Sequence, residues 1–137
     1  MRVHNLVSQS VWSKRYNQIN AFEEILARND THILKFYLHI SKEEQLERFR
    51  ARLKDPTRYW KVDPADFEER KHWDDYMQAY EAALSKCSTP YAPWFIIPAN
   101  KKWFRNFALS EILVEYLSAL PMKFPPPAAD LSKIKLK

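Results

Sequence analysis

The chain contains no glycine. At average usage of about 7%, a chain of this length would carry roughly ten. Glycine turns a backbone through positive φ at no steric cost and lets main chain close tightly around a phosphate. Its absence excludes both Gly-rich phosphate cradles, G-x-x-x-x-G-K-[ST] and G-x-G-x-x-G, from these residues. A chain of 137 residues fits one domain, and 46% hydrophobic content is enough for a core, so disorder is excluded for most of it. Its five Trp, seven Tyr and eight Phe need an interior or a partner surface.

A net charge of +5 favours polyanionic partners only weakly. The single Cys87 excludes an intramolecular disulfide. There is no basic leader with an apolar run behind it, and no apolar stretch near the length of about 18 residues that spans a membrane. A reducing cytoplasm is the expected location.

Val11, Tyr16, Ile19, Phe22, Ile25 and Leu26 recur at helical spacing and predict a helix from about Val11 to Arg28, closed by Asn29-Asp30-Thr31. The run from Ile33 to Ile40 is short and rich in branched and aromatic residues, which predicts a mostly buried strand of the parallel kind. Ser41-Lys42-Glu43-Glu44 has capping-box form and starts a second helix that stops near Asp55-Pro56. A polar, aromatic connector, Thr57 to Val62, leads to Asp63 as N-cap and Pro64 at the first helical position. One long helix to about Lys86 is predicted from there.

Trp94-Phe95-Ile96-Ile97 reads as a second buried strand, Lys101 to Leu120 as a last helix, and residues 121–137, with Pro125-Pro126-Pro127, as an extended tail. Helices alternating with two buried strands predict an α/β layer with parallel strands. Two parallel strands alone leave apolar edges uncovered, so the pattern reads as half of a domain.

The second helix carries Arg48, Arg50, Arg52 and Lys54, and the connector adds Arg58 and Lys61. Arg48 and Arg52 lie four apart and share a face. A solvated basic face accounts for this pattern; a phosphate clamp does too, because guanidinium forks match phosphoryl oxygens. Tyr59-Trp60-Lys61 reads as an aromatic hinge or a stacking platform. Arg70 falls on the inward stripe between Phe67 and Trp73, so it needs an acceptor: Asp66, Asp74 or a bound phosphate. His4, His32, His39 and His72 have no metal-ligand spacing, Cys87 has no nucleophile motif around it, and Ser41 is a cap. Ligands approach the carboxyl ends of strands in open α/β sheets, which singles out Ser41-Lys42 and Asn100-Lys101-Lys102.

The stretch Arg48-Phe49-x-x-Arg52-Leu53-x-Asp55-Pro56-x-x-x-Trp60-Lys61-x-x-Pro64-x-Asp66-Phe67-Glu68-x-Arg70-x-x-Trp73-x-x-Tyr76-x-x-Ala79 resembles the lid module of the polyphosphate kinase 2 family. The resemblance extends to Arg2-Val3-His4-Asn5-Leu6-Val7, to Leu38-His39-Ile40-Ser41-Lys42-Glu43-Glu44-Gln45, and to Ala92-Pro93-Trp94 with Asn100-Lys101-Lys102-Trp103-Phe104. The opening and the proline-containing tail look most like class III members, which phosphorylate both nucleoside mono- and diphosphates.

The resemblance implies part of a P-loop kinase fold similar to thymidylate kinases, helix-rich with two buried parallel strands. Residues 1–120 would be the C-terminal part of the domain, with the lid at about 48–86. It implies phosphoryl transfer between polyphosphate and AMP or ADP with Mg2+, whose ligands, together with the Walker A loop and Walker B motif, lie N-terminal to the matched region. Arg52 corresponds to the lid arginine on the transferring phosphates, and Arg48, Arg58, Lys61 and Arg70 are further phosphate-contact candidates.

Inorganic polyphosphate and adenine nucleotides are the implied partners, rather than nucleic acid or membrane; a homo-oligomer or a complementing N-terminal half is the protein partner to expect. The isolated chain is expected to be inactive or nearly so. The rival readings are a noncatalytic polyanion-binding remnant and one half of a split kinase.

Overall fold

The structure, a computed structural model, describes residues 2–128. In chain order it forms α1 (Gln9–Trp12), α2 (Arg15–Ala27), β1 (Lys35–His39), α3 (Lys42–Leu53), a 3-10 helix (Pro56–Lys61), α4 (Pro64–Glu69), a 3-10 turn (Arg70–His72), α5 (Trp73–Lys86), β2 (Trp94–Pro98) and α6 (Lys102–Ser118). Both predicted strands form, and they pair parallel with Lys35 opposite Trp94 and His39 opposite Pro98. Phe36 stacks on Phe95 across the pair at 5.4 Å.

Local chemistry explains most boundaries. Ser41 caps α3, its Oγ accepting from the Glu44 N–H at 3.1 Å, and Asp63 caps α4 by accepting from Ala65 N–H at 2.9 Å. Pro64 opens α4, where its missing N–H costs nothing. After α2 the chain reverses at Asp30, which takes φ 59°, while Thr31 N–H returns to Leu26 C=O at 3.1 Å in a Schellman-type closure.

Three expectations need correction. The helix predicted over Val11–Arg28 starts at Gln9 and is interrupted at Ser13-Lys14. The connector is itself helical, a 3-10 segment begun by the Asp55 side chain, which accepts from Thr57 N–H. The single helix predicted from Pro64 to Lys86 breaks into α4 and α5 at Arg70–His72. The tighter turn falls where the Arg70 side chain is anchored to α3, a tertiary bond that overrides local propensity. Residues 121–127 have no regular structure, and residues 129–137 of the expected tail lie outside the described residues.

Strand burial is uneven. Ile97 is 3% exposed, whereas Leu38 and Ile96 are 44% and 59% exposed. With only two strands, parts of each face have nothing packed on them. Phe49, Cys87, Ala92, Ile97 and Ala99 make the buried apolar core among the described residues. Beside it, Lys35 Nζ donates to Glu23 Oε2 and to the Cys87 carbonyl, both at 2.6 Å, joining α2, β1 and the end of α5. The side chains of Lys35 and Glu23 are 13% and 11% exposed, so each is the other's replacement for water.

Candidate phosphate-binding site

The carboxyl ends of the two strands are locked side by side. Ala99 N–H donates to His39 C=O at 2.7 Å, and Ser41 N–H donates to Asn100 Oδ1 at 2.9 Å. The two junctions singled out from sequence therefore meet, and α3 and α6 leave from the same edge of the sheet.

Arg48 is a pin at this edge. Its Nη2 donates to Ala99 C=O at 2.8 Å and to Asn100 C=O at 3.4 Å, and its Nε to Glu44 Oε1 at 2.9 Å. Arg70 is a second pin, with Nη1 donating to Lys42 C=O at 2.6 Å and Gln45 Oε1 at 2.8 Å. The expected carboxylate partner of Arg70, Asp66 or Asp74, is replaced by these neutral oxygens of α3. Its guanidinium also sits 6.0 Å from the Trp73 ring centre.

Arg52 and Lys61 are different. They border one small gap, too narrow to admit a water molecule, with Phe49, Val62, Asp66 and Phe67, the Arg52 guanidinium 5.6 Å from the Phe49 ring and Lys61 Nζ 4.7 Å from the Trp60 ring. Among the described residues no carboxylate lies within ion-pair distance of either cation. Arg58 is paired with Asp55 at 2.8 Å, and the Thr57 hydroxyl together with Arg58 holds the Asp55 carboxyl below its ordinary pKa. Trp60 is 79% exposed at the tip of this segment.

Between β1, α3 and α5 a cleft opens, lined by Tyr37, Phe49, Glu69, Arg70, Trp73 and Tyr76 among others. At its rim the structure gathers a cluster that sequence spacing does not disclose. His4 Nε2 meets Glu69 Oε2 at 2.9 Å, Tyr76 OH donates to the same oxygen at 2.6 Å, and the His4 and His72 rings lie 5.0 Å apart. The Tyr76 and His4 hydrogen bonds hold the Glu69 carboxyl below its ordinary pKa, and Glu69 in turn holds the Tyr76 phenol above its own. His4 lies 65 residues from Glu69 and 72 from Tyr76, so no local motif could reveal it.

Cys87 is buried, and desolvation raises its thiol pKa, which leaves it unreactive at neutral pH. Among the described residues no three His, Cys, Asp or Glu side chains come together as a metal site. These residues do not fit a magnesium centre.

The sequence model of the family described as Polyphosphate kinase 2 (PPK2) matches residues 1–125. The chain belongs to the polyphosphate kinase 2 family. It is 52% identical over its whole length to the AMP/ADP-polyphosphate phosphotransferase of Meiothermus ruber, of which it covers 51%. A crystal structure of Polyphosphate Kinase 2 from Arthrobacter aurescens TC1 superimposes with a TM-score of 0.92 at 43% identity, over 96% of this chain and 46% of that one. This chain thus spans about half the length of those relatives. A Leptolyngbya boryana protein named "Uncharacterized protein in chlN 3'region" is 48% identical over 84% of this chain and 85% of its own length. The helix-rich α/β arrangement with its parallel strand pair is accordingly a portion of a P-loop kinase fold. Among the described residues, no helix is long and apolar enough to cross a membrane.

Proposed function

We propose that this polyphosphate kinase 2 chain supplies the phosphate clamp of a polyphosphate:nucleotide phosphotransferase acting on AMP or ADP in a reducing cytoplasm. The observation that carries the reading is that Arg52 and Lys61, which border the same small gap, have no carboxylate in ion-pair reach among the described residues. Unpaired cations at the end of α3 and on the 3-10 helix after it keep their full attraction for an anion, whereas a cation already neutralised does not. The name of the Meiothermus relative supports polyphosphate and adenine nucleotides as the anions.

Phosphoryl transfer asks a protein chiefly for alignment and for neutralising charge on the equatorial oxygens. In this reading Arg52 supplies the second as the catalytic group, its planar fork matching two oxygens of the transferring phosphoryl. Lys61 holds a neighbouring phosphate of the polymer, and Arg58, already paired with Asp55, is the weaker contact beside it. Arg48 and Arg70 anchor the lid, about residues 48–86, and each retains free N–H donors, since a guanidinium has five. When bound, magnesium supplies further neutralisation of phosphate charge in such kinases; alignment requires a phosphate cradle, and a chain without glycine has none.

Binding without turnover is the second reading, favoured by that same lack of glycine. One assay separates the two. The chain is incubated with polyphosphate, magnesium and ADP or AMP, alone and with the unmatched half of the Meiothermus relative. The proposal expects nucleotide phosphorylation only with both halves; binding with no turnover in either arm favours the second reading. Brisk turnover by the chain alone would refute the need for a separate cradle.

A further inference from the structure

The short helix α4 stands between the unpaired cations and the hydrogen-bonded cluster at the cleft rim, and contacts run through it from one to the other. Phe67 of α4 packs on Phe49 of α3, ring centres 5.1 Å apart. Phe49 is buried, and the Arg52 guanidinium lies 5.6 Å from that same ring. Asp66 and Phe67 also border the gap between Arg52 and Lys61. Where α4 lies therefore decides where the Phe49 ring, and the guanidinium against it, can settle.

At its end α4 is tied down in two directions by consecutive side chains. Arg70 reaches α3 through Lys42 C=O and Gln45 Oε1. Glu69 reaches the other way: its Oε2 accepts from Tyr76 OH of α5 at 2.6 Å and meets His4 Nε2 of the opening segment at 2.9 Å. Tyr76 OH and His4 Nε2 are themselves 3.4 Å apart, so the three groups form a closed triangle. The backbone is 3-10 over Arg70–His72, where hydrogen-bond geometry is poorer than in an α-helix. Side-chain ties, more than the main-chain ladder, thus set the angle between α4 and α5, and bonds to an ionised carboxylate are the stronger kind.

We infer that Glu69 is a positioning residue for Arg52. Braced by His4 and Tyr76, it fixes α4 at the 3-10 break, and through Phe67 and Phe49 it sets where the Arg52 guanidinium stands. Glu69 touches no phosphate in this role; it acts through the ring contacts. The role deepens the phosphate-clamp reading and rests on it for its function, while the positioning itself is measurable with no anion present.

Two measurements on the full chain test it. In a nitrogen–proton NMR spectrum of the arginine side chains, the Arg52 Nε–H resonance, assigned by its absence in Arg52→Ala, is displaced by the Phe49 ring current. Glu69→Ala should return it toward the position of an exposed arginine. Glu69→Gln, whose amide oxygen still accepts from Tyr76, should leave it in place. Titration calorimetry with inorganic polyphosphate at neutral pH should then show affinity weakened about fivefold or more in Glu69→Ala and held within about twofold in Glu69→Gln; Glu69→Ala added to Arg52→Ala should change it less than about twofold, because coupled residues are not additive. Far-UV circular dichroism checks each fold, and Tyr76→Phe, which removes one of the two donors, takes the place of Glu69→Ala should that variant unfold.

An Arg52 resonance indifferent to Glu69→Ala overturns the inference. So does an affinity lost equally in Glu69→Gln, which would make charge rather than geometry the cause, or lost by the same factor with and without Arg52. A displaced resonance in a chain that binds no polyphosphate leaves the positioning standing and sinks the clamp reading instead.

Discussion

Four arginines of similar sequence context sit in three different environments. Arg52 has no anionic partner among the described residues, Arg58 has Asp55, Arg48 has Glu44 together with two backbone carbonyls, and Arg70 is spent on carbonyl and amide oxygens. Arg52→Ala in the two-part enzyme should lower turnover more than tenfold, about 1.4 kcal/mol of transition-state stabilisation, with little change in thermal midpoint. Arg70→Ala should do the reverse, costing about 1–3 kcal/mol in denaturant unfolding because Lys42 C=O and Gln45 lose a charged donor. Sequence spacing placed Arg70 on an inward stripe, but not its partner, because α3 lies more than twenty residues upstream and uses neutral oxygens.

Glu69 yields a pH prediction. Its carboxyl is held below the ordinary value of 4.5 in the folded chain by Tyr76 and His4, so the unfolded chain takes up the proton first on acidification. The stabilisation is complete above pH 4.5 and is lost as pH falls from there through the lowered folded pKa. Glu69→Gln should flatten that acid limb in a series of thermal midpoints between pH 7 and pH 3, leaving other carboxylates to set what remains.

At the scale of elements, short-range signals were the legible ones. Ser41 and Asp63 announced their helices because a cap needs only three residues of chain, and Ser41→Ala should cost about 1 kcal/mol of stability by chemical denaturation. The Lys35–Glu23–Cys87 junction was illegible, since its three members come from three elements and none carries a motif. Lys35→Met would strand the Glu23 carboxylate in a site 11% exposed, and a loss of about 3 kcal/mol is expected from the same measurement. The interruption at Arg70–His72 escaped for a related reason: helical propensity is continuous through it, and what breaks the ladder is an anchor on another helix.

Over the whole molecule, large apolar side chains stay in water: among the described residues Phe22, Ile25, Ile96, Phe107 and Val114 are each more than half exposed. Period and composition placed an apolar stripe along α2, yet could not say what covers it. If another polypeptide does, the thermal midpoint should rise with the concentration of the added half, by mass action, and scanning fluorimetry across a dilution series would show it.

The parallel pairing of Lys35 with Trp94 closes a loop of about 60 residues, and the corresponding entropy is about 3.6 kcal/mol before any contact repays it. On a ribosome adding about 5–20 residues each second, β1 emerges roughly 3–12 s ahead of its partner. Through that interval both of its edges are bare, and the strand must wait for the entire α3–α5 insertion to be synthesised and folded. The spacing of the strands along the chain, and not only their hydrophobicity, therefore sets how long an unpaired strand is exposed during translation.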